Sequence, residues 1–245
     1  IQDSASLAFY KAGWRGIPVE PPPTYAARLR AERPDELVIE AAVSSTPGLI
    51  ELHEIPDTGL STGKAHIARK HAAAGFEVRT IVVPTVTLAE LLERAGAVEW
   101  LKIDVEGMEA DVLASWGEHP SRPPVVVVEA TLPNSQVRTD GEWRHELENR
   151  QYHEVQFDGL SRFFVHTSHP DLIETLAASA NVFDLFQVTE NHFSTGPWKE
   201  QIAQAELAVA AAEQRLAAMV SERDSVWDAL QGAESDRATA SAALE

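Results

Sequence analysis

From residue 7 to residue 166 the chain alternates short apolar runs with stretches whose apolar positions recur every three or four residues. The first pattern suits strands and the second suits helices. Leu7 to Ala12 predicts a short helix that stops at Gly13, and Gly16 to Pro21 holds a short strand ending in the acid Glu20. Pro22 and Pro23 stand where a helix would begin, and Tyr25 to Arg33 continues it. Leu37 to Val43 predicts a strand, and Leu49 to Ile55 a half-exposed one, because its apolar and polar positions alternate. A polar loop, Asp57 to Gly63, leads into a helix over Lys64 to Ala74 that Gly75 closes, and Val78 to Val83 predicts the next strand. Thr87 and Glu90 have the spacing of a capping box, which opens a helix running to Arg94. A strand over Trp100 to Asp104, a helix over Met108 to Trp116, a buried strand over Val125 to Glu129 and a helix over Trp143 to Arg150 follow. Tyr152 to Phe157 and Arg162 to His166 then form a hairpin through Asp158 and Gly159.

Strands that alternate with helices predict an α/β fold: one parallel sheet with helices on both faces. The closing hairpin adds an antiparallel edge. From Trp198 the texture changes. Ile202, Val209, Leu216, Leu230 and Leu244 share one heptad position, and Ala205, Ala212, Met219, Val226, Ala233 and Ala240 fall three residues later. Arg223 and Arg237 interrupt the first series. This is the a/d seam of a coiled coil, thin because its second position is mostly alanine. A long helix packed on its own domain is the plainer reading. The expected organisation is a domain over residues 1–190, a linker over 191–197 and a coiled-coil helix over 198–245. The opening at Ile1 and the close at Glu245 both fall in mid-pattern and are read as cut ends.

Composition narrows the function. A net charge of −18 argues against a nucleic-acid partner, which needs clustered lysine and arginine, and against docking on anionic lipid. No run approaches the length of a membrane span. With no cysteine, disulfides and thiolate metal sites are excluded, in keeping with a cytoplasmic protein.

Open α/β sheets bind ligands at the carboxyl ends of their strands, so the acids found there are the candidates. Glu20 ends an early strand, where a carboxylate can accept hydrogen bonds from ribose hydroxyls; an exposed acid before a proline-rich turn is the alternative. Asp104 ends a later strand, and Glu106, Gly107 and Glu109 follow at once. Like charges placed together point to a cationic ligand, a metal or a proton to be moved. A helix N-terminus would account for the glutamates but less well for Asp104. Glu129 ends the next strand and can face the same crevice. His66 and His71 are five residues apart, a poor spacing for a shared metal, and read as surface residues. There is no Gly-x-Ser-x-Gly, no phosphate loop and no Gly-x-Gly.

The segment Trp100-Leu101-Lys102-Ile103-Asp104-Val105-Glu106-Gly107-Met108-Glu109, with Val112-Leu113 behind it, closely resembles the signature of the FkbM-type methyltransferases. Phe9-Tyr10, Gly13-Trp14-Arg15-Gly16 and Val19-Glu20-Pro21 are similar to that family's first helix and second strand. Val86-Thr87-Leu88 is similar to its approach to the signature, although Ala89 stands where an acid is often found. Phe157-Asp158-Gly159-Leu160 with Arg162-Phe163-Phe164-Val165 is similar to its closing hairpin. The resemblance implies a Rossmann-like class I domain. Its activity would be transfer of a methyl group from S-adenosylmethionine to a hydroxyl of a sugar, a polysaccharide or a related natural product. Glu20 would hold the adenosyl ribose, and Asp104 would stand between cofactor and acceptor. The loop from Asp57 to Gly63 and the helix after it would belong to the acceptor side. The strand and glycine-rich turn that open such domains would precede Ile1.

A sugar hydroxyl is a poor nucleophile until a base shares its proton. Asp104 is the first candidate base, with Glu106 and Glu129 behind it. No metal ligands are assigned; a divalent cation on these carboxylates is the alternative to a protein base. Two rival readings are kept. One is a non-catalytic scaffold whose coiled coil mediates assembly. The other is a nicotinamide dehydrogenase, which Glu20 would also suit but the signature opposes. Larger bacterial surface-polysaccharide proteins resemble this arrangement, implying self-association or a downstream glycosyltransferase domain as partner.

Overall fold

In a computed structural model, residues 4–133, 135–179, 183 and 196–242 are described. The chain divides into two compact units, Ile1–Asn181 and Val182–Glu245. In the first unit, helices α1 (Leu7–Lys11) and α2 (Pro23–Glu32) precede strands β1 (Ala42–Val43) and β2 (Gly48–Glu54). Helix α3 (Ala65–Ala73), strand β3 (Arg79–Val86), helix α4 (Leu88–Ala95), strand β4 (Trp100–Ile103) and helix α5 (Glu109–Ala114) follow. Strand β5 (Val125–Glu129), helix α6 (Arg144–Asn149), the hairpin β6 (Tyr152–Phe157) and β7 (Ser161–His166), and helix α7 (Asp171–Ala177) complete the unit.

The expected single parallel sheet is instead two sheets, one in the order β1-β3-β2 and one in the order β4-β5-β7-β6. Only β1–β3 and β4–β5 pair in parallel among these strands; β2–β3, β5–β7 and β6–β7 are antiparallel. Two features explain the difference. Strand β2 folds back on β3 along its whole length, Gly48 opposite Thr85 and Glu54 opposite Arg79, with α3 in the connection. And among the described residues no strand pairs with β4 on the side away from β5, so nothing joins the two ladders. The strand expected over Leu37 to Val43 shrinks to Ala42–Val43. Upstream of it, Val38 packs against Ala26 and Leu29 of α2, and Ile39 makes only an isolated parallel bridge to Val19.

The main core lies on the second sheet. Val126 and Val128 of β5 are fully buried and pack with Leu88, Leu92, Leu113, Trp116, Leu147 and Phe164 from α4 to β7. Val127, on the opposite face, is also buried. A central strand covered on both sides reads as a continuous valine run rather than an alternating one. Each such side chain contributes about 1.5–3 kcal/mol on leaving water. The capping box forms as expected: the Thr87 hydroxyl accepts from the Glu90 N–H at 3.1 Å, and the Thr87 N–H donates to Glu90 at 2.8 Å. The Phe9 ring stacks on Trp100 with centroids 4.5 Å apart, fastening α1 to the start of β4.

The second unit contains one helix of 47 residues, α8 (Gly196–Ala242). Ile202, Val209, Leu216, Met219, Val226 and Leu230 on its heptad seam are exposed. Leu244 and most of the expected linker, residues 191–195, lie outside the described residues. No described helix is long and apolar enough to cross a membrane.

Candidate active site

Strands β4 and β5 run in parallel with Ile103 opposite Val128. Asp104 directly follows β4 and Glu129 is the last residue of β5, so both carboxylates leave the sheet at one edge. The turn into α5 brings a third. Glu106 takes φ 50° and Gly107 φ 96°. A left-handed non-glycine residue costs about 1–2 kcal/mol, and such strain collects at functional sites. Asp104, Glu106 and Glu129 each place a carboxylate oxygen within 4.8 Å of the others.

Their surroundings differ. Asp104 is exposed and forms an ion pair with Lys102. Glu106 and Glu129 are buried, and Oε2 of each has no hydrogen-bond donor. Burial pushes Glu106 up to about 8, helped by the charges of Asp104 and Glu109 and opposed by Lys102. Burial likewise holds Glu129 well above the usual carboxylate range, and the charges of Asp104 and Glu106 add to it. Glu109 has a different task. Its Oε1 accepts from the Gly107 N–H at 3.1 Å and the Val105 N–H at 3.4 Å, tying the turn to α5. Burial raises its pKa, and those backbone donors partly offset the rise.

The loop from Asp57 to Gly63 clasps this turn. The fully buried Thr62 hydroxyl donates to the Glu106 carbonyl at 2.8 Å. Lys64 Nζ, at the start of α3, bonds Asp111 of α5 at 2.6 Å. Gly63 lies against the Met108 sulfur, which would have to move for a Cβ. A cleft beside the turn is lined by Lys64, His66, Glu109, Thr139, Glu142 and Trp143. The resemblance implied the acceptor side for the loop from Asp57 to Gly63 and the helix after it, without singling out Thr62 or Lys64, and His66 was expected at the surface, where it lies. The available signal was Thr62-Gly63-Lys64 itself, a small residue set between a hydroxyl and a cation at a helix start. His71 corrects another expectation: it is buried, not a surface residue, and meets Phe76 edge-on with centroids 5.7 Å apart.

Glu20 is not part of the carboxylate cluster. It follows the isolated Val19–Ile39 bridge, which belongs to neither sheet. The expectation that Glu20, Asp104 and Glu129 share the edge of one sheet therefore holds only for the last two. Glu20 is half-buried, and burial alone raises its pKa to about 7. Among the described residues its side chain has no hydrogen-bond or ion-pair partner.

The closing hairpin is held from both ends. Asp158 Oδ1 accepts from the N–H groups of Leu160 (2.9 Å) and Ser161 (2.7 Å). The buried Arg162 pairs with Asp140 at 2.9 Å and with Glu154.

Acidic side chains converge here at the carboxyl edge of parallel strands of an α/β protein, the edge at which such sheets hold their ligands. A family model described as the methyltransferase FkbM domain matches residues 1–154. The chain belongs to the FkbM methyltransferase family, and methyl transfer is the activity this membership indicates. The matched span contains Glu20, Asp104, Glu106 and Glu129, and ends before the Asp158–Gly159 turn. Comparison with curated proteins and with solved structures gave no match.

Proposed function

We propose that this protein is an S-adenosylmethionine-dependent O-methyltransferase acting on a hydroxyl of a sugar, a polysaccharide or a related natural product. The observation that carries the reading is the carboxylate cluster Asp104–Glu106–Glu129, at a strand edge inside the family-matched span. Glu20 fits the cofactor: a half-buried carboxylate without a partner among the described residues is suited to accept from two ribose hydroxyls. S-adenosylmethionine, when bound, supplies an electrophilic methyl group.

The protein's own residues do the rest. Asp104, the exposed member of the cluster, would take the proton of the acceptor hydroxyl; the acceptor oxygen would form the new bond to the donated methyl carbon, and the electron pair of the broken carbon–sulfur bond would leave with the methyl donor. The clasp of Thr62 on Glu106 fixes the turn that carries Asp104, and positioning of this kind supplies much of the rate. Lys64 and His66 in the adjacent cleft offer hydrogen-bond donors for the remaining hydroxyls of a sugar acceptor. The cleft is mixed: Ile67, Ala110, Leu132 and Trp143 offer an apolar floor beside these donors, a combination that suits the polar edges and apolar faces of a sugar ring.

A second role follows from α8, whose exposed heptad residues favour assembly with another helix. Assembly and catalysis are compatible, and one experiment separates an enzyme from a scaffold. Transfer of labelled methyl to a panel of glycans should be detectable, and Asp104→Asn should lower turnover by about 10²–10⁴ with little change in cofactor affinity. Equal losses in turnover and affinity would make Asp104 a binding residue. An absence of both transfer and cofactor binding would leave the scaffold role.

A further inference from the structure

Two of the three clustered carboxylates carry an oxygen that nothing among the described residues satisfies. Glu129 is 5% exposed and Glu106 9%. Oε2 of each is buried without a donor. A buried carboxylate oxygen left in this state is expensive, and three acids with oxygens within 4.8 Å of one another repel as well. The nearby donors are spoken for. Lys102 pairs with Asp104, the N–H groups of Val105 and Gly107 serve Glu109, and the Thr62 hydroxyl serves the Glu106 carbonyl. What the cluster lacks is positive charge between its oxygens.

We propose that Asp104, Glu106 and Glu129 form a binding site for one hard divalent cation of the Mg²⁺, Mn²⁺ or Ca²⁺ class. An all-oxygen donor set selects this class over zinc or copper. Metal–oxygen bonds of about 2.0–2.6 Å set ligand oxygens roughly 3–5 Å apart, the range the cluster occupies. Charge also closes: three carboxylates are balanced by a divalent ion together with Lys102. The strained φ of Glu106 falls within this cluster, as strain does at functional sites. Three protein oxygens leave coordination positions open, and Asp104 is the ligand nearest solvent. A hydroxyl entering there would bind the ion and lose its proton more readily. That last consequence rests on the methyltransferase reading; the cation site itself does not.

Mn²⁺ titrated into the full chain, followed by electron paramagnetic resonance, tests the site without methyl donor or acceptor. One Mn²⁺ should bind per chain, competed by Mg²⁺ or Ca²⁺. Saturation at about a hundredfold over Kd should raise Tm by about 5 °C or more. Glu106→Gln and Glu129→Gln each keep the shape and cannot ionise, so they should fold, and each should weaken Mn²⁺ binding at least tenfold. Glu51→Gln, an exposed acid elsewhere, should leave binding unchanged and so separates the site from the general acidity of the chain. No Mn²⁺ binding by the wild type would overturn the proposal and leave a shared proton as the sole occupant. Equal binding by the two Gln variants, or equal weakening by Glu51→Gln, would overturn it too. Mn²⁺ bound at the site with no methyl transfer would sink the enzymatic reading and keep the cation site.

Discussion

The buried hydroxyl of Thr62 donates to the carbonyl of Glu106 at 2.8 Å, across 44 positions of sequence. This bond joins the polar loop before α3 to the turn that gathers the acids. Thr62→Val keeps the side-chain shape but leaves that carbonyl without its donor. The variant should lose about 1–3 kcal/mol in chemical denaturation. It should also lose turnover beyond what its unfolded fraction explains, because the Glu106 turn loosens. Turnover that simply tracks the folded fraction would confine Thr62 to stability.

Gly107 tests the same turn from its other side. Its φ of 96° disfavours any side chain, and a Cβ there would stand 2.5 Å from Ile67 Cδ1. Gly107→Ala should destabilise the protein by about 2–4 kcal/mol, from backbone strain and overpacking together. Adding Ile67→Val removes the clashing Cδ1. The double variant should recover the packing part and keep the backbone part, which denaturation of all three proteins would separate. Full recovery would show that φ carries no penalty here.

How much of this was legible beforehand follows from the kind of pattern each residue belongs to. Val125 to Glu129 is a strand with the expected bounds, because a valine run buried on both faces has few other uses. The Thr87 cap was equally plain, since its partner Glu90 is only three residues away. Asp104 and Glu129 were legible together because each ends a strand, and the two strands are neighbours. The β2–β3 pairing was not: alternation in Leu49 to Ile55 indicates one exposed face but names no partner strand or direction. Thr62 was missed for a related reason, since a loop hydroxyl carries no mark of a partner far along the chain. Glu20 was expected on the same sheet because the short run before it reads as a strand, whereas only the isolated Val19–Ile39 bridge forms there.

Glu20 gives a pH dependence with a definite sign. An unperturbed glutamate titrates near 4.5, and burial pushes Glu20 up to about 7. The folded state therefore holds this proton more tightly than the unfolded state. Its contribution to stability is complete below about pH 4.5 and is lost as pH rises through about 7. Glu20→Gln cannot ionise, so at pH 8 it should be more stable than wild type by about 1–2 kcal/mol, allowing for screening at a half-buried site. At pH 4 the difference should vanish. Ribose hydroxyls donating to Glu20 would favour its ionised form, so cofactor binding near pH 6.5 should release a proton. Calorimetry in buffers of different ionisation enthalpy would detect it, and Glu20→Gln should abolish it. Proton-neutral binding by the wild type would place the ribose elsewhere.

The long helix makes the last prediction. At about 1.5 Å per residue, the 47 residues of α8 extend roughly 70 Å. Its apolar residues recur at seven-residue spacing, from Ile202 through Val209 and Leu216 to Leu230, and these side chains are exposed. A seam of this period favours a partner helix wound around it in a left-handed sense. Alanine at Ala205, Ala212 and Ala233 permits close approach but buries little area per turn, and Arg223 adds a charge in mid-seam. Self-association should therefore be weak and concentration-dependent, visible by sedimentation only at high micromolar protein or above. Leu216→Asp should abolish it by adding a third charge to the seam, beside Arg223 and Arg237. Removing residues 198–245 should abolish it as well and leave the Tm of the remaining domain nearly unchanged. A truncated protein that unfolds or aggregates would mean that the helix completes the core instead, and a truncated protein that still associates would place the contact on the domain.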